Sequence, residues 1–414
     1  MRILVVTQYF WPENFRINDL CVELVNRGHE VTVLTGKPNY PDGRVFNKYR
    51  ENKSDFMDYN GCDIIRVPMI ARGKDSSLQL ISNYLSYVLS ASLWGAWRLR
   101  QKKLDVVFVY EPSPITVGLP AIFIKKIKKT PVVFWVLDLW PETLEAVGVV
   151  KSSKILNLVG LLVRFIYNHC DLILGQSKTF NTGISRYCDD PTKIKYFPSW
   201  SDTNVSEAQM LPIDGFGKHA NAFKVLFAGN IGEAQDFPSI LAAAELLKFN
   251  KINAKFFIVG DGRAFDWVQS ELVRRDLEEY VFLLGRHPLG SMPFFYAASD
   301  ALLVTLKDSP AFSMTIPGKV QTYMAAGKPI LTMLSGEGSR VVKEACCGFV
   351  ADAGDYKQLI DNIEKMIWLS SEDLNVLANN AKTYVENEFD RSKLISQLEG
   401  WFVDVTALQK EDQS

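Results

Sequence analysis

Six cysteines and four histidines in 414 residues leave little material for metal or disulfide chemistry. Cys21, Cys62, Cys170, Cys188, Cys346 and Cys347 form no CxxC pair, and no zinc-ligand spacing appears. Most stand in apolar contexts, where a free thiol behaves as a small hydrophobe, so a reducing cytoplasm is the expected setting. A fixed-period repeat and a low-complexity tract are both missing. The first strand-to-helix turn has no G-x-G-x-x-G; it carries Glu13, Asn14 and Arg16, which argues against a dinucleotide oxidoreductase. No signal peptide is expected: Ile3 to Thr7 is too short for its apolar region and runs into Tyr9-Phe10-Trp11-Pro12. No cofactor, metal or nucleic-acid partner is expected.

What is present describes a globular protein, 47% hydrophobic and 22% charged, and 414 residues are too many for one typical core. The net charge of −1 hides an asymmetry. Residues 1–196 hold 26 Lys and Arg against 18 Asp and Glu, and the remainder holds 20 against 29. The basic half suits either an acidic partner domain or an anionic surface such as phospholipid.

Both halves open alike, with an apolar run and then a helical pattern: Arg2 to Thr7, and Phe223 to Gly229. Further apolar runs alternate with amphipathic segments, at 31–34, 64–67, 106–110, 132–137 and 172–174, then at 256–259, 281–284, 301–306, 330–334 and 349–351. That alternation predicts an α/β fold of two Rossmann-like, doubly wound parallel-sheet domains, with ligands at the strand carboxyl ends in a central cleft. The expected boundaries are 1–200, 222–390 and a terminal helical segment 391–414 compatible with a return to the first domain, with a polar linker at 199–221. Leu78 to Trp97 has the length of a membrane span, yet holds Gln79, Asn83 and several serines. With Trp94, Trp97, Arg98, Arg100, Lys102 and Lys103 at its end, and Lys125, Lys126, Lys128 and Lys129 nearby in sequence, it fits an interfacial helix or an ordinary domain helix better than a span.

The stretch Pro317 to Leu331, PGKVQTYMAAGKPIL, carries the most chemistry. Pro317 and Gly318 start a helix, Lys319 adds a cation at its positive end, and Gly327 stops it. A phosphate fits that combination better than a packed core does, the alternative being an ordinary helix-to-strand junction. Gly229-Asn-Ile-Gly-Glu-Ala-Gln235 and Val259-Gly-Asp-Gly262 are turns after strands that can offer backbone N–H groups to phosphate. Asp138 follows the run 132–137 and so stands at a strand end, where it can take a proton from a hydroxyl or cap the helix near Pro141. Glu142 lies one helical turn on. Arg16 can reach a phosphate or sugar, or be solvated at its helix start. His29 and His169 read as structural.

These segments resemble the GT-B glycosyltransferases of family 4. Pro317 to Leu331 is similar to their nucleotide-sugar-binding helix, and Gly229 to Gln235 to their G-R-L-x-x-x-K-G turn, with Asn230 and Gln235 in place of the cations. Gln8 to Leu20, Gly28-His-Glu-Val31, Pro38-Asn-Tyr-Pro41 and Asp138-Leu-Trp-Pro-Glu142 resemble a WbuB-type branch that builds O-antigen or capsule. The resemblance implies a GT-B fold and transfer from a UDP-sugar, such as an N-acetyl-L-fucosamine donor, to a lipid-linked (undecaprenyl diphosphate) glycan at the cytoplasmic face of the inner membrane. It implies retention of the anomeric configuration. With no convincing D-x-D at a strand end, a metal-clamped diphosphate is not expected. Catalytic roles fall to Asp138, Lys319, Glu142 and Arg16. Donor binding falls to Gly229, Asn230, Gln235, Gly262, His287, Thr315, Pro317, Gly318 and Thr322, with Arg340 a further candidate cation. The family's E-x7-E glutamates are replaced here by Met314 and Thr322. Other readings are a nucleotide-sugar epimerase of the same fold and a non-catalytic glycan- or nucleotide-binding protein.

Overall fold

Apolar runs of four to six residues, buried on both faces, make the central strands of two largely parallel sheets. The structure is a computed structural model and describes residues 1–73, 77–146, 150, 152–201, 219 and 221–411. Most of the expected linker 199–221 therefore lies outside the described residues. The chain divides into unit 1, Met1–Phe197 with Ile395–Ser414, and unit 2, Pro198–Leu394.

Unit 1 contains β1 (Arg2–Val6), β2 (Glu30–Thr35), β3 (Asp58–Tyr59), β4 (Cys62–Arg66), β5 (Val106–Glu111), β6 (Val132–Val136), β7 (Leu172–Gly175) and β8 (Ile194–Tyr196). Their order is β3-β4-β2-β1-β5-β6-β7-β8. All neighbours are parallel except β3 and β4, a hairpin closed by the Asn60-Gly61 turn. The sequence runs give no hint of β3 or β8, which are short and lie at the sheet's two edges. The helix Arg391–Glu411 packs into this unit beyond its first turn. Its Phe402 meets Phe108 at 5.6 Å, and its Glu399 holds Arg27 at 2.7 Å and His29 at 2.6 Å, which accounts for His29 as a structural residue.

Unit 2 contains β9 (Phe223–Ala228), β10 (Ala254–Val259), β11 (Val281–Gly285), β12 (Ala301–Thr305), β13 (Ile330–Met333) and β14 (Gly348–Ala351), all parallel, in the order β11-β10-β9-β12-β13-β14. Strand alternation sends Phe227 and Ile258 to one core and Leu226 and Phe257 to the other, so helices cover both faces. In both units the first strand sits where the strand order reverses, between β2 and β5 or between β10 and β12. Such switch points are where open α/β sheets hold ligands.

Candidate functional site

In unit 2, the turns after β9 and β10 meet backbone to backbone. Gly229 sits at φ +143° and Gly260 at φ +142°. A Cβ on Gly260 would lie 1.9 Å from the Gly229 carbonyl oxygen, so only glycine permits this approach. The Asn230 side chain covers the junction, with Oδ1 only 2.7 Å from where a Cβ on Gly262 would stand. A cavity of about 540 Å³ opens here, lined by Gly229, Asn230, Gly262, Arg286, His287 and Met292 among others. His287 is exposed, its ring 4.7 Å from that of Phe295 and its Nε2 3.0 Å from the Leu284 carbonyl oxygen.

Pro317 is the N-cap of the helix Gly318–Ala325, one position before the first turn where the sequence suggests it. Tyr323 fixes this helix to the end of β9: its hydroxyl accepts from Ala228 N–H at 2.8 Å and donates to Ala228 C=O at 3.0 Å. Gln321 Nε2 donates to the Ser199 carbonyl at 2.6 Å. Lys319, in the first turn, therefore lies against Gly229, where a Cβ would stand 2.8 Å from Nζ. Nζ is 3.6 Å from the Phe227 ring centroid, buried, and without a hydrogen-bond partner. Burial lowers its pKa to about 7. A buried amine with three unused donors and a ring beneath it has one side prepared for an anion.

The other donor-side candidates fall around this point. A second cavity, of about 700 Å³, shares Asn230 and is lined by Gln235, Arg263, Trp267 and Lys307. Gln235 Oε1 is buried without a partner, while its carbonyl accepts from Thr305 Oγ1 at 2.6 Å. Thr322 is half-buried one turn after Lys319, and Thr315 Oγ1 donates to the Phe312 carbonyl at 3.2 Å. The chain itself does not crowd Gly318, since a Cβ there would meet nothing within 4 Å. Arg340 is already committed: it pairs with Glu337 at 2.9 Å and with Glu344. An anion would have to compete with two carboxylates, so Arg340 is a poor second cation.

Unit 1 gathers carboxyl groups at the ends of β5 and β6. Asp138 is half-buried, and its Oδ2 accepts from Trp140 Nε1 at 3.1 Å rather than from a helix N–H. Glu142 Oε2 is buried without a partner; Oε1 lies 3.6 Å from Arg186, and burial pushes the carboxyl up. Arg16 opens the helix Arg16–Asn26 beside the Tyr110 hydroxyl. Sequence reasoning missed Glu111. It ends β5, is fully buried, accepts from Asp138 N–H at 3.3 Å through Oε2, and leaves Oε1 unpartnered. Burial and then the neighbouring Asp138 push its pKa well above the usual carboxylate range. The available signal was a carboxylate closing a run of buried strand residues. Tyr167, whose hydroxyl is also buried without a partner, and Tyr84, bonded to Ser113, stand near the same charges. Glu13 has a different task from its motif neighbours: it accepts N–H from Phe10, Asn39 and Tyr40 at 3.2, 2.8 and 2.7 Å, stapling two loops together. Burial raises its pKa to about 7.

These raised carboxyls fix the sign of a pH effect. Folded Glu111 and Glu13 keep a proton that the unfolded chain releases above its ordinary value of 4.5. Stability should therefore fall as pH rises from about 5 towards neutrality. Glu111→Gln, which keeps the shape and removes the ionisation, should flatten part of that slope in urea midpoints measured from pH 5 to pH 8. An unaltered slope would count against a protonated Glu111.

Among the described residues, no group of three or more His, Cys, Asp or Glu is placed to hold a metal ion.

Residues 14–200 match the family model for the glycosyl transferase 4-like domain, and residues 214–384 match that for glycosyl transferases group 1. The chain is 29% identical to the probable glycosyltransferase WbjE of Pseudomonas aeruginosa, over 61% of this chain and 66% of that protein. It is 23% identical to the putative colanic acid biosynthesis glycosyl transferase WcaI of Escherichia coli K12, over 79% of this chain and 82% of that protein. In structure it resembles Anabaena Alr3699/HepE in complex with UDP, with a TM-score of 0.70, 16% identity, and coverage of 98% of this chain and 100% of that one.

Proposed function

We propose that this chain, which matches the glycosyl transferase 4-like and group 1 models, is a family 4 GT-B glycosyltransferase that moves a sugar from a UDP-sugar to a lipid-linked glycan during surface polysaccharide synthesis. Unit 2 holds the donor. The carrying observation is the buried, unpartnered Lys319 Nζ against the Gly229 turn. There the ammonium offsets charge on a departing diphosphate, while the first-turn amides of Gly318–Ala325 and the side chains of Asn230 and Gln235 donate hydrogen bonds to it. Thr322 and Thr315 offer hydroxyls to the rest of the donor, and His287 borders the nucleobase side of the cavity. The UDP bound to HepE and the colanic acid role in the name of WcaI support the donor and product classes.

Unit 1 takes the acceptor. Asp138 stands at a strand carboxyl end, half-exposed and oriented by Trp140, where it can accept the acceptor's hydroxyl proton. Glu142 and Arg16 assist by orienting the sugar or its phosphate. The proposal includes retention of the anomeric configuration, leaving-group stabilisation by Lys319 without a metal, a WbuB-type place in O-antigen or capsule assembly with an N-acetyl sugar as donor, and peripheral contact with the inner membrane at its cytoplasmic face.

Thermal unfolding across a panel of nucleoside diphosphates tests the donor site. UDP at 100 times its dissociation constant should protect by about 2.7 kcal/mol, with or without magnesium. Lys319→Ala should lose that protection. Protection by none of the panel would sink the donor reading, and protection only with magnesium would sink its metal-free form.

A further inference from the structure

One face of unit 1 exposes large apolar side chains in rows. In the helical segment 77–98, Ile81, Leu85, Leu89, Leu93 and Trp97 form an outward ridge four residues apart, and Leu78 extends it at 78% exposure. The opposite ridge, Asn83, Tyr87, Ala91 and Gly95, is buried, so the segment is anchored to the domain by one side only. Tyr87 donates to the carbonyls of Thr7 and Leu34, at 3.0 and 3.1 Å. The neighbouring helix Gly118–Lys128 exposes Phe123 and Ile127, and touches both 77–98 and the helix Ser153–His169. That third helix exposes Ile155, Leu158, Leu161 and Phe165, with Leu158 at 67% and Leu161 at 65%. Three adjacent helices thus carry one apolar face, a feature that isolated exposed side chains do not share.

The charges say what covers it. The three segments contain no aspartate or glutamate, in a chain that has 47 of them. They contain Arg98, Lys125, Lys126, Lys128, Lys154 and Arg164. Lys125 and Arg164 are paired with Asp171 and Asp189, whereas Arg98, Lys103, Lys126, Lys129 and Lys154 have no ion-pair partner among the described residues. Trp94 and Trp97 lie side by side at 5.2 Å near the basic end, and Arg100 stacks over Trp97 at 4.3 Å. Two copies meeting through this face would bring cations together. An anionic bilayer accepts the apolar ridges, the cations and the interfacial tryptophans at once. No helix of the described residues is long and apolar enough to cross a membrane, so a bilayer contact at this face would be one of surface seating and not of spanning.

We propose that the outer faces of 77–98, Gly118–Lys128 and Ser153–His169 together form the surface that seats unit 1 on an anionic phospholipid bilayer. This deepens, and rests on, the peripheral contact proposed above. It adds the third helix, which the sequence alone does not single out. The helix Gly118–Lys128 follows the strand end that holds Glu111, and Ser153–His169 follows the Asp138 strand end after the short helix Glu142–Ala146. A lipid-anchored acceptor would approach from that end.

Flotation of the full chain with phosphatidylcholine vesicles, with and without roughly 30 mol% phosphatidylglycerol, tests this. Binding to the anionic vesicles should exceed binding to the neutral ones at least tenfold. Leu85→Glu/Leu89→Glu and, separately, Leu158→Glu/Leu161→Glu should each reduce it at least tenfold while leaving the unfolding midpoint and UDP protection unchanged. Undiminished flotation of the Leu158→Glu/Leu161→Glu protein would overturn the three-helix surface. So would a wild-type dimer in sedimentation equilibrium that either pair of substitutions dissolves. UDP protection reads the donor site independently, so its failure with flotation intact would count against the transferase reading alone.

Discussion

Lys319→Met is expected to weaken nucleoside diphosphate binding by at least about a hundredfold while making the empty protein more stable. The two effects have one cause. The Lys319 amine is buried against Gly229 and Phe227 with no acceptor in reach, and burial holds its pKa at about 7. In the empty site that charge is a liability, and an apolar side chain of similar length removes it, a gain of about 1–4 kcal/mol by analogy with other buried ionic groups. The sign with pH follows. The folded pKa lies below the unfolded value of 10.5, so the cost is full below pH 7 and fades as pH rises towards 10.5. The stability advantage of Lys319→Met should be larger at pH 6 than at pH 9. A bound diphosphate supplies the missing partner and favours the protonated amine, so binding to the wild type should take up a proton above neutrality and weaken as pH rises beyond 7. Calorimetry in two buffers of different ionisation enthalpy reads that proton directly. A Lys319→Met protein no more stable than the wild type would mean that the amine is better solvated than the structure indicates.

Asp138→Asn is expected to lower the transfer rate about 100- to 10,000-fold while leaving UDP protection intact, because on the proposed reading it removes only the group that takes the acceptor's proton. Asparagine can still accept from Trp140 Nε1, so the local fold should hold. Glu142→Gln should cost less, since Glu142 is argued to orient the acceptor and not to accept its proton. Release of free nucleotide in the presence of a lipid-linked acceptor is the measurement. A rate within about threefold of wild type for Asp138→Asn would remove Asp138 from the chemistry and shift attention to Glu111, which lies directly behind it.

Legibility differed with the kind of residue. The parallel strands announce themselves because strands buried on both faces must be apolar along their whole length, as in β6 and β12. The edge strands β3 and β8 do not, since an edge needs no such run. Lys319 was legible from its place at a helix start after Pro317 and Gly318. Its isolation was not, because that depends on Phe227 and Gly229, about ninety residues earlier in the chain. Arg340 reads as available in sequence, and only the folded helix shows Glu337 and Glu344 on either side of it.

By itself the sequence determined the α/β class, its two sheets and the helix that begins at Gly318, because hydrophobic period and glycine and proline placement act over a few residues. The tertiary structure decided which charges stand alone. Glu111 became a fully buried carboxyl with its pKa pushed up by desolvation, Glu13 a loop staple and the helix Ser153–His169 part of an exposed apolar face through neighbours distant in sequence. Desolvation is set by everything packed around a group, and no local pattern records it.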